Sequence, residues 1–426
     1  MYAGVWNILR TGEWLTHERV RRIAVALICA YAVAIGYLVV TANGAVDAWG
    51  RPLGTDFSNV YAAGTYVLEG RPQAPFDPAL QYVREQAIFG PDTPFYGWHY
   101  PPFFLFVAAG LALLPYGLAL AVWQIATFLL YLISIRAILS ATPIGGTNGN
   151  VNGDNRATPA LALLLAAAFP AVFVNLSHGH NGFLSAALMS AALVTLDRRP
   201  IMSGILFGLL VYKPQFGLMI PFVLAATGRW RTFAAAAATT LSLVLLATLA
   251  FGAHVWEAFA VSTQFTRVVV LEAGDPGWHK IQSTFSWVRM WGGSIAVAYL
   301  LQAAVSLAVG ATLIWLWRSA ASFALKASAL CLSAMLASPY GYDYDMMILA
   351  PAIAFLASEA MAQGWRPGEK TLLATLWLTP IVARGIALAT FIPLGVIAMI
   401  AVYVAILRRS AMELGKQGHS PAIATR

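Results

Sequence analysis

The chain has 426 residues, 59% of them hydrophobic and 10% charged, with a formal charge of +8 and a mean hydropathy of +0.70. Soluble domains carry about 25% charged residues, so this composition cannot cover a water-facing surface and excludes an ordinary soluble enzyme. The two cysteines, Cys29 and Cys331, lie in apolar runs and offer neither a disulfide framework nor zinc spacing. No interleaved basic and aromatic patch points to nucleic acid.

A transmembrane helix needs about 20 mostly apolar residues. Such runs predict an all-α integral membrane protein of about twelve spans. They lie near 23–41, 117–138, 158–176, 182–196, 201–212, 215–227, 232–251, 293–317, 321–338, 345–361, 370–386 and 388–407. The first follows a polar segment, Arg10 to Arg22, with no small-residue cleavage site, and reads as a retained helix rather than a signal peptide. The stretch 101–114 is apolar but short and sits between Pro101-Pro102 and Pro115, which predicts a juxtamembrane helix. The Gly- and Asn-rich segment 145–156 reads as a flexible cytoplasmic loop. Lys213-Pro214-Gln215 joins two short spans with basic outer flanks, as a hairpin with its tip toward the outer side would.

The excess of basic residues on cytoplasmic loops sets orientation. With residues 1–22 and 408–426 both cytoplasmic, the inner segments hold 18 of the 26 Lys and Arg and 7 of the 18 Asp and Glu. The net charge is then +11 inside and −3 outside. The whole chain forms one polytopic membrane domain. Its two long connections, 42–116 and 252–292, fall outside, where long ordered loops carry function.

The residues that bear chemistry gather on that outer face. Asp56 follows Gly54-Thr55 just ahead of an amphipathic stretch. Thr55 or Asp56 suits a helix N-cap, or Asp56 is a carboxylate that takes a proton from an acceptor hydroxyl. Tyr96-Gly97-Trp98-His99-Tyr100-Pro101-Pro102 fits an interfacial aromatic belt or a platform for a sugar ring. His178-Gly179-His180-Asn181 has too few companions for a metal site and fits hydrogen bonding to a phosphate or sugar. Lys213 has no acid near it in sequence. It must snorkel to the interface or meet an anion, because a lysine at mid-bilayer costs about 2.5–3.5 kcal/mol. Gln215 adds a donor beside it. Arg267, His279, Lys280, Gln282, Ser283 and Arg289 add basic and polar groups from the second outer connection. Asp343-Tyr344-Asp345 matches a short pattern that holds metal in many nucleotide-sugar enzymes; here it lies on the outer side and reads as a source of polar contacts.

Taken in order, Asp56…Tyr61, Leu68-Glu69-Gly70-Arg71-Pro72, Tyr100-Pro101-Pro102, Pro115-Tyr116…Trp123, Gly179-His180-Asn181, Lys213-Pro214-Gln215, Gln282-Ser283 and Ser338-Pro339 resemble glycosyltransferase family 87. That resemblance runs from about residue 20 to 360. It implies a GT-C-type bundle with juxtamembrane helices in a catalytic extracytoplasmic first loop. It also implies a sugar donor on polyprenyl phosphate, a lipid or glycan acceptor, inversion at the anomeric carbon and no cofactor or metal.

In that frame Asp56 is the expected base. Lys213, Gln215, His180, Asn181, Arg267, Lys280, Gln282 and Asp345 are expected at the donor phosphate and sugar, and Tyr61, His99 and Tyr100 at the acceptor. Some members carry His after the Ser-Pro of the later motif, where this chain has Asp343 and Asp345. The expected setting is a bacterial inner membrane, with mannose as the expected sugar. A pentose such as arabinofuranose and a lipid-linked glycan transporter are the competing readings.

Overall fold

The computed structural model describes residues 2–141 and 159–418. The expected loop at 145–156 lies outside them. Every regular element among the described residues is helical. In chain order these are α1 (Tyr2–Thr11), α2 (His17–Val40), α3 (Thr55–Leu68), α4 (Pro78–Phe89), α5 (Leu105–Ala112) and α6 (Tyr116–Ala141). There follow α7 (Pro159–Ala167), α8 (Pro170–His178), α9 (Gly182–Thr195), α10 (Pro200–Leu209), α11 (Pro214–Gly217), α12 (Ile220–Ala226) and α13 (Trp230–Phe251). The last are α14 (His254–Phe265), α15 (Thr284–Met290), α16 (Ile295–Arg318), α17 (Phe323–Leu336), α18 (Leu349–Gln363), α19 (Glu369–Thr390) and α20 (Leu394–Gly418).

Among the described residues, seven helices are long and apolar enough to cross a membrane: α2, α6, α13, α16, Tyr344–Gln363, α19 and Leu394–Gly415. Each falls on an expected span. The run expected at 158–176 is α7 and α8, bent by 44° at their junction. Pro170 causes the break, since it lacks the N–H that would continue the ladder. The four other expected spans are shorter apolar helices: Gly182–Thr195, Pro200–Tyr212, Pro214–Ala226 and Phe323–Leu336. The last has almost every side chain buried, so it satisfies its apolar surface against other helices rather than against lipid.

Residues 101–114 form a 3-10 turn and α5, shorter than a span, as expected. α5 lies close against α3. A Cβ at Gly64 would stand 2.1 Å from the Ala108 carbonyl oxygen, so only glycine permits this approach. The hairpin expected to turn at Lys213 is interrupted there, between a 3-10 turn over Leu210–Tyr212 and α11. Its second arm breaks again between α11 and α12, around Leu218-Met219. Its first arm packs on α13 through Gly204 and Gly208; a Cβ at either would meet a Thr232 or Ala236 carbonyl oxygen at 2.4 and 2.8 Å.

Charged ends that were expected on one side meet one another. Gly368 donates its backbone N–H to the Arg10 carbonyl at 2.7 Å. Arg409, 1% exposed, bonds both oxygens of Glu369 at 2.9 and 2.8 Å and Glu413 at 3.1 Å. Arg229 pairs with Asp197 at 2.6 Å. The chemistry-bearing residues collect elsewhere, where α3, the α8–α9 turn, the Lys213 hairpin and 279–283 converge on 341–345.

Candidate functional site

α3 begins at Gly54, whose φ of 65° lies in the left-handed region. Gly179, with φ 64°, closes α8. A Cβ on either glycine would crowd the other's Cα at 3.3–3.4 Å, so two bare backbones meet and hold the start of α3 against the α8–α9 turn. The Thr55 hydroxyl reaches His178 Nδ1 at 2.7 Å. Neither Thr55 nor Asp56 caps the helix. Gly54 is the N-cap and makes no side-chain bond, which removes the capping role for Asp56.

The Asp56 carboxylate has no hydrogen-bond or ion-pair partner among the described residues. It stands in a recess that leaves it half-exposed while surrounding it with protein. Burial lifts its pKa from the ordinary carboxylate range to about 7, and Asp345 adds to the rise. The cations Lys213, Lys280 and Arg384 oppose it. An acid poised near neutrality, open to a ligand and faced by cations is what general-base chemistry needs.

Lys213 does not snorkel. It is 5% exposed, and its ammonium donates to the Asp345 carboxylate, 132 residues away. The rings of Phe216 and Tyr344 each lie 5.4 Å from its Nζ. The second Asp345 oxygen accepts the Tyr342 N–H at 2.9 Å. Asp343 turns elsewhere: it accepts from the Tyr344 N–H at 2.9 Å and faces the Arg384 guanidinium at 3.7 Å. The two carboxylates of this motif therefore serve different cations.

His180 stacks on Tyr344 with ring centres 3.6 Å apart, and its Nε2 lies 3.5 Å from the Tyr100 hydroxyl. His180 Nδ1 and Asn181 Oδ1 are buried without a partner among the described residues. Buried polar atoms are nearly always satisfied, so these two remain open to a further polar partner. Gln215 is half-buried.

The second long connection is stitched to the Asp343 segment. Gln282 donates its backbone N–H to Gly341 at 2.7 Å, and Asp343 donates to the Lys280 carbonyl at 3.2 Å. The buried Gln282 side chain bonds the His279 carbonyl at 3.4 Å and supports this junction. The half-buried Lys280 ammonium has a lowered pKa, first from burial and then from Arg384, with Asp343 and Asp56 opposing.

Other expected residues stand apart. Arg267 lies in a π-helical turn, 58% exposed, and pairs with Glu272 at 3.6 Å. The Tyr61 hydroxyl is committed to the Leu114 carbonyl at 2.9 Å. His99 bonds Thr266 at 2.8 Å, and burial pushes its pKa down to about 4, so its ring is neutral. Trp98, Tyr100, Phe104 and Tyr212 form a buried aromatic column with successive ring centres 5.1, 4.8 and 5.0 Å apart. They are core, not an interfacial belt.

Two residues escaped the sequence reading. Arg384 sits inside an apolar run, and a lone arginine in such a run is itself a signal. Glu85 is buried in α4 and accepts the Tyr96 and Gly97 N–H groups at 2.9 and 3.1 Å. Gln81 ties Glu85 to the Asn59 carbonyl of α3 at 3.2 and 3.0 Å. Burial raises the Glu85 pKa to about 7. The Glu85 carboxyl thus fixes the 96–100 segment to the helix that carries Asp56.

A model of glycosyltransferase family 87 matches residues 98–339, more than half of the chain. The matched stretch holds His180, Asn181, Lys213, Lys280 and Gln282; Asp56 precedes it, and Asp343, Asp345 and Arg384 follow it. No curated protein and no solved structure matches the chain.

Proposed function

The chain belongs to glycosyltransferase family 87, and from that premise we propose that it is an inverting transferase with a polyprenyl-phosphate sugar donor. The sugar is mannose, the acceptor is a lipid or glycan, and the recess at Asp56 opens on the extracytoplasmic side. The observation that carries this reading is Asp56 itself: an unpaired, accessible carboxylate with a pKa of about 7, faced by Lys213, Lys280 and Arg384.

The acceptor hydroxyl oxygen attacks the anomeric carbon from the face opposite the phosphate. Asp56 takes the hydroxyl proton as the new C–O bond forms. The bond from the anomeric carbon to the phosphate oxygen breaks, and its electron pair leaves on the phosphate. Lys280 and Arg384 stabilise that developing charge, since neither ammonium nor guanidinium is fully committed within the protein. Lys213 is occupied by Asp345, so its part is to keep a second carboxylate from repelling the donor. The unpartnered His180 Nδ1 and Asn181 Oδ1 supply polar contacts for the sugar hydroxyls.

The test is a transfer assay with purified protein in lipid, labelled polyprenyl-phosphate sugars and a panel of lipid and glycan acceptors. The reading predicts transfer with inverted anomeric configuration, read by NMR. Movement of a lipid-linked glycan across the bilayer without bond cleavage would contradict it.

A further inference from the structure

Far along the chain from Asp56 in its charged surroundings, three turns come together around a cavity of about 600 Å³. They join α9 to α10, α12 to α13 and α16 to α17. Its walls include Asp197, Thr227, Arg229, Trp317, Phe323 and Lys326. Arg229 and Lys326 are half-buried here, while Arg198, Arg199, Arg231 and Arg318 are exposed on these turns or the helix ends beside them. Asp197 is the single acid among these turns.

The cations keep most of their hydrogen-bonding capacity. Arg229 spends one nitrogen on Asp197 at 2.6 Å, and Lys326 gives one bond to the Ser319 carbonyl at 2.7 Å. A guanidinium has five N–H donors and an ammonium three. Trp317 lies 5.8 Å from the Arg229 guanidinium, within cation–π reach. The cavity is thus cationic, preformed and large enough for a small head group.

Its depth identifies the source of the anion. α13 starts at Trp230 and α16 ends at Arg318, and both are long and apolar enough to span a membrane. The cavity therefore lies at the level where spans end, in the layer of lipid phosphates. Trp230 and Ile201, each 61% exposed, flank it with apolar surface, as residues at head-group depth do. Basic pockets between spans at this depth recognise anionic head groups.

We infer that this cavity is a binding site for the phosphate head group of an anionic membrane lipid, held by Arg229 and Lys326 and opposed by Asp197. The site is independent of sugar transfer. Native mass spectrometry of the purified full-length protein, with phosphatidylglycerol or phosphatidylcholine added, tests it. One phosphatidylglycerol per chain is retained in preference to phosphatidylcholine. In the Arg229→Gln, Lys326→Gln double variant, affinity falls about twenty-five-fold, from about fivefold per cation. Asp197→Asn raises retention, a gain that misfolding cannot produce. Equal retention of the two lipids, or no gain in Asp197→Asn, overturns the inference. Displacement of the lipid by an equal concentration of soluble glycerol phosphate overturns the assignment to a lipid.

Discussion

The Lys213 ammonium, at the break of a helical hairpin, is closed against the Asp345 carboxylate with both side chains buried. A buried ion pair contributes little net stability, but removing one partner strands the other charge at a cost of about 3–5 kcal/mol. Lys213→Met is therefore expected to destabilise the protein by that amount. Adding Asp345→Asn to it should recover much of the loss. Thermal unfolding in detergent, run as a double-mutant cycle, measures the coupling; additive losses would show that the pair is not a unit.

Asp56 and Glu85 carry the pH prediction. Both have folded-state pKa values raised to about 7. A carboxyl raised on folding binds its proton more tightly in the native state. Stability is thus highest in acid and falls as pH rises from about 4 through 7. Transfer moves the other way, since the proposed base must be ionised, and kcat/KM should rise through about pH 7. Asp56→Asn should melt higher than the parent at pH 8, with the difference closing near pH 4. A variant that melts lower at pH 8 would argue against a destabilised carboxylate.

Glu85→Gln keeps the volume but turns an N–H₂ toward at least one of the Tyr96 and Gly97 N–H groups. Leaving a buried donor unsatisfied costs about 1–3 kcal/mol. The 96–100 segment should loosen, which hydrogen exchange at Tyr96 and Gly97 would report. Because Glu85 acts through this segment, KM for the acceptor should rise more than kcat falls. Unchanged exchange would remove Glu85 from this role.

Gly64→Ala places a methyl where the Ala108 carbonyl already stands. α3 and α5 must part, at about 1–3 kcal/mol, and α3 carries Asp56. Both the melting temperature and transfer should fall. The same substitution at Gly110, where a Cβ meets nothing within 4 Å, is the control and should change neither.

Hydropathy made the long helices legible, because lipid contact demands an apolar length that any window can read. The shorter helices were legible as apolar runs but not as buried ones: α17 carries the same composition as a span and differs only in being surrounded. Lys213 stood out as a charge that local structure did not explain, whereas the spacing at Asp56 also suited a helix N-cap and only the family resemblance singled it out. Asp345 as the partner of Lys213 was hidden, since the contact joins residues 132 apart and no period connects them. Glu85 looked like one more polar residue on an amphipathic helix. Its importance lies in two backbone N–H groups that no side-chain pattern reveals. Arg267 drew attention as a basic residue on an acidic face, and its pairing with Glu272 joins neighbours that no sequence period connects.

The central claim is that the Asp56 carboxylate takes the proton from the acceptor hydroxyl. Its most direct measurement is the rate of sugar transfer by Asp56→Asn at pH 8, in lipid, with melting temperature and donor binding checked against the parent. Loss of a general base lowers rates by about 10²–10⁴-fold. In Asp56→Asn, kcat should fall by that amount with donor binding retained. Transfer at the parental rate by the folded variant would contradict it.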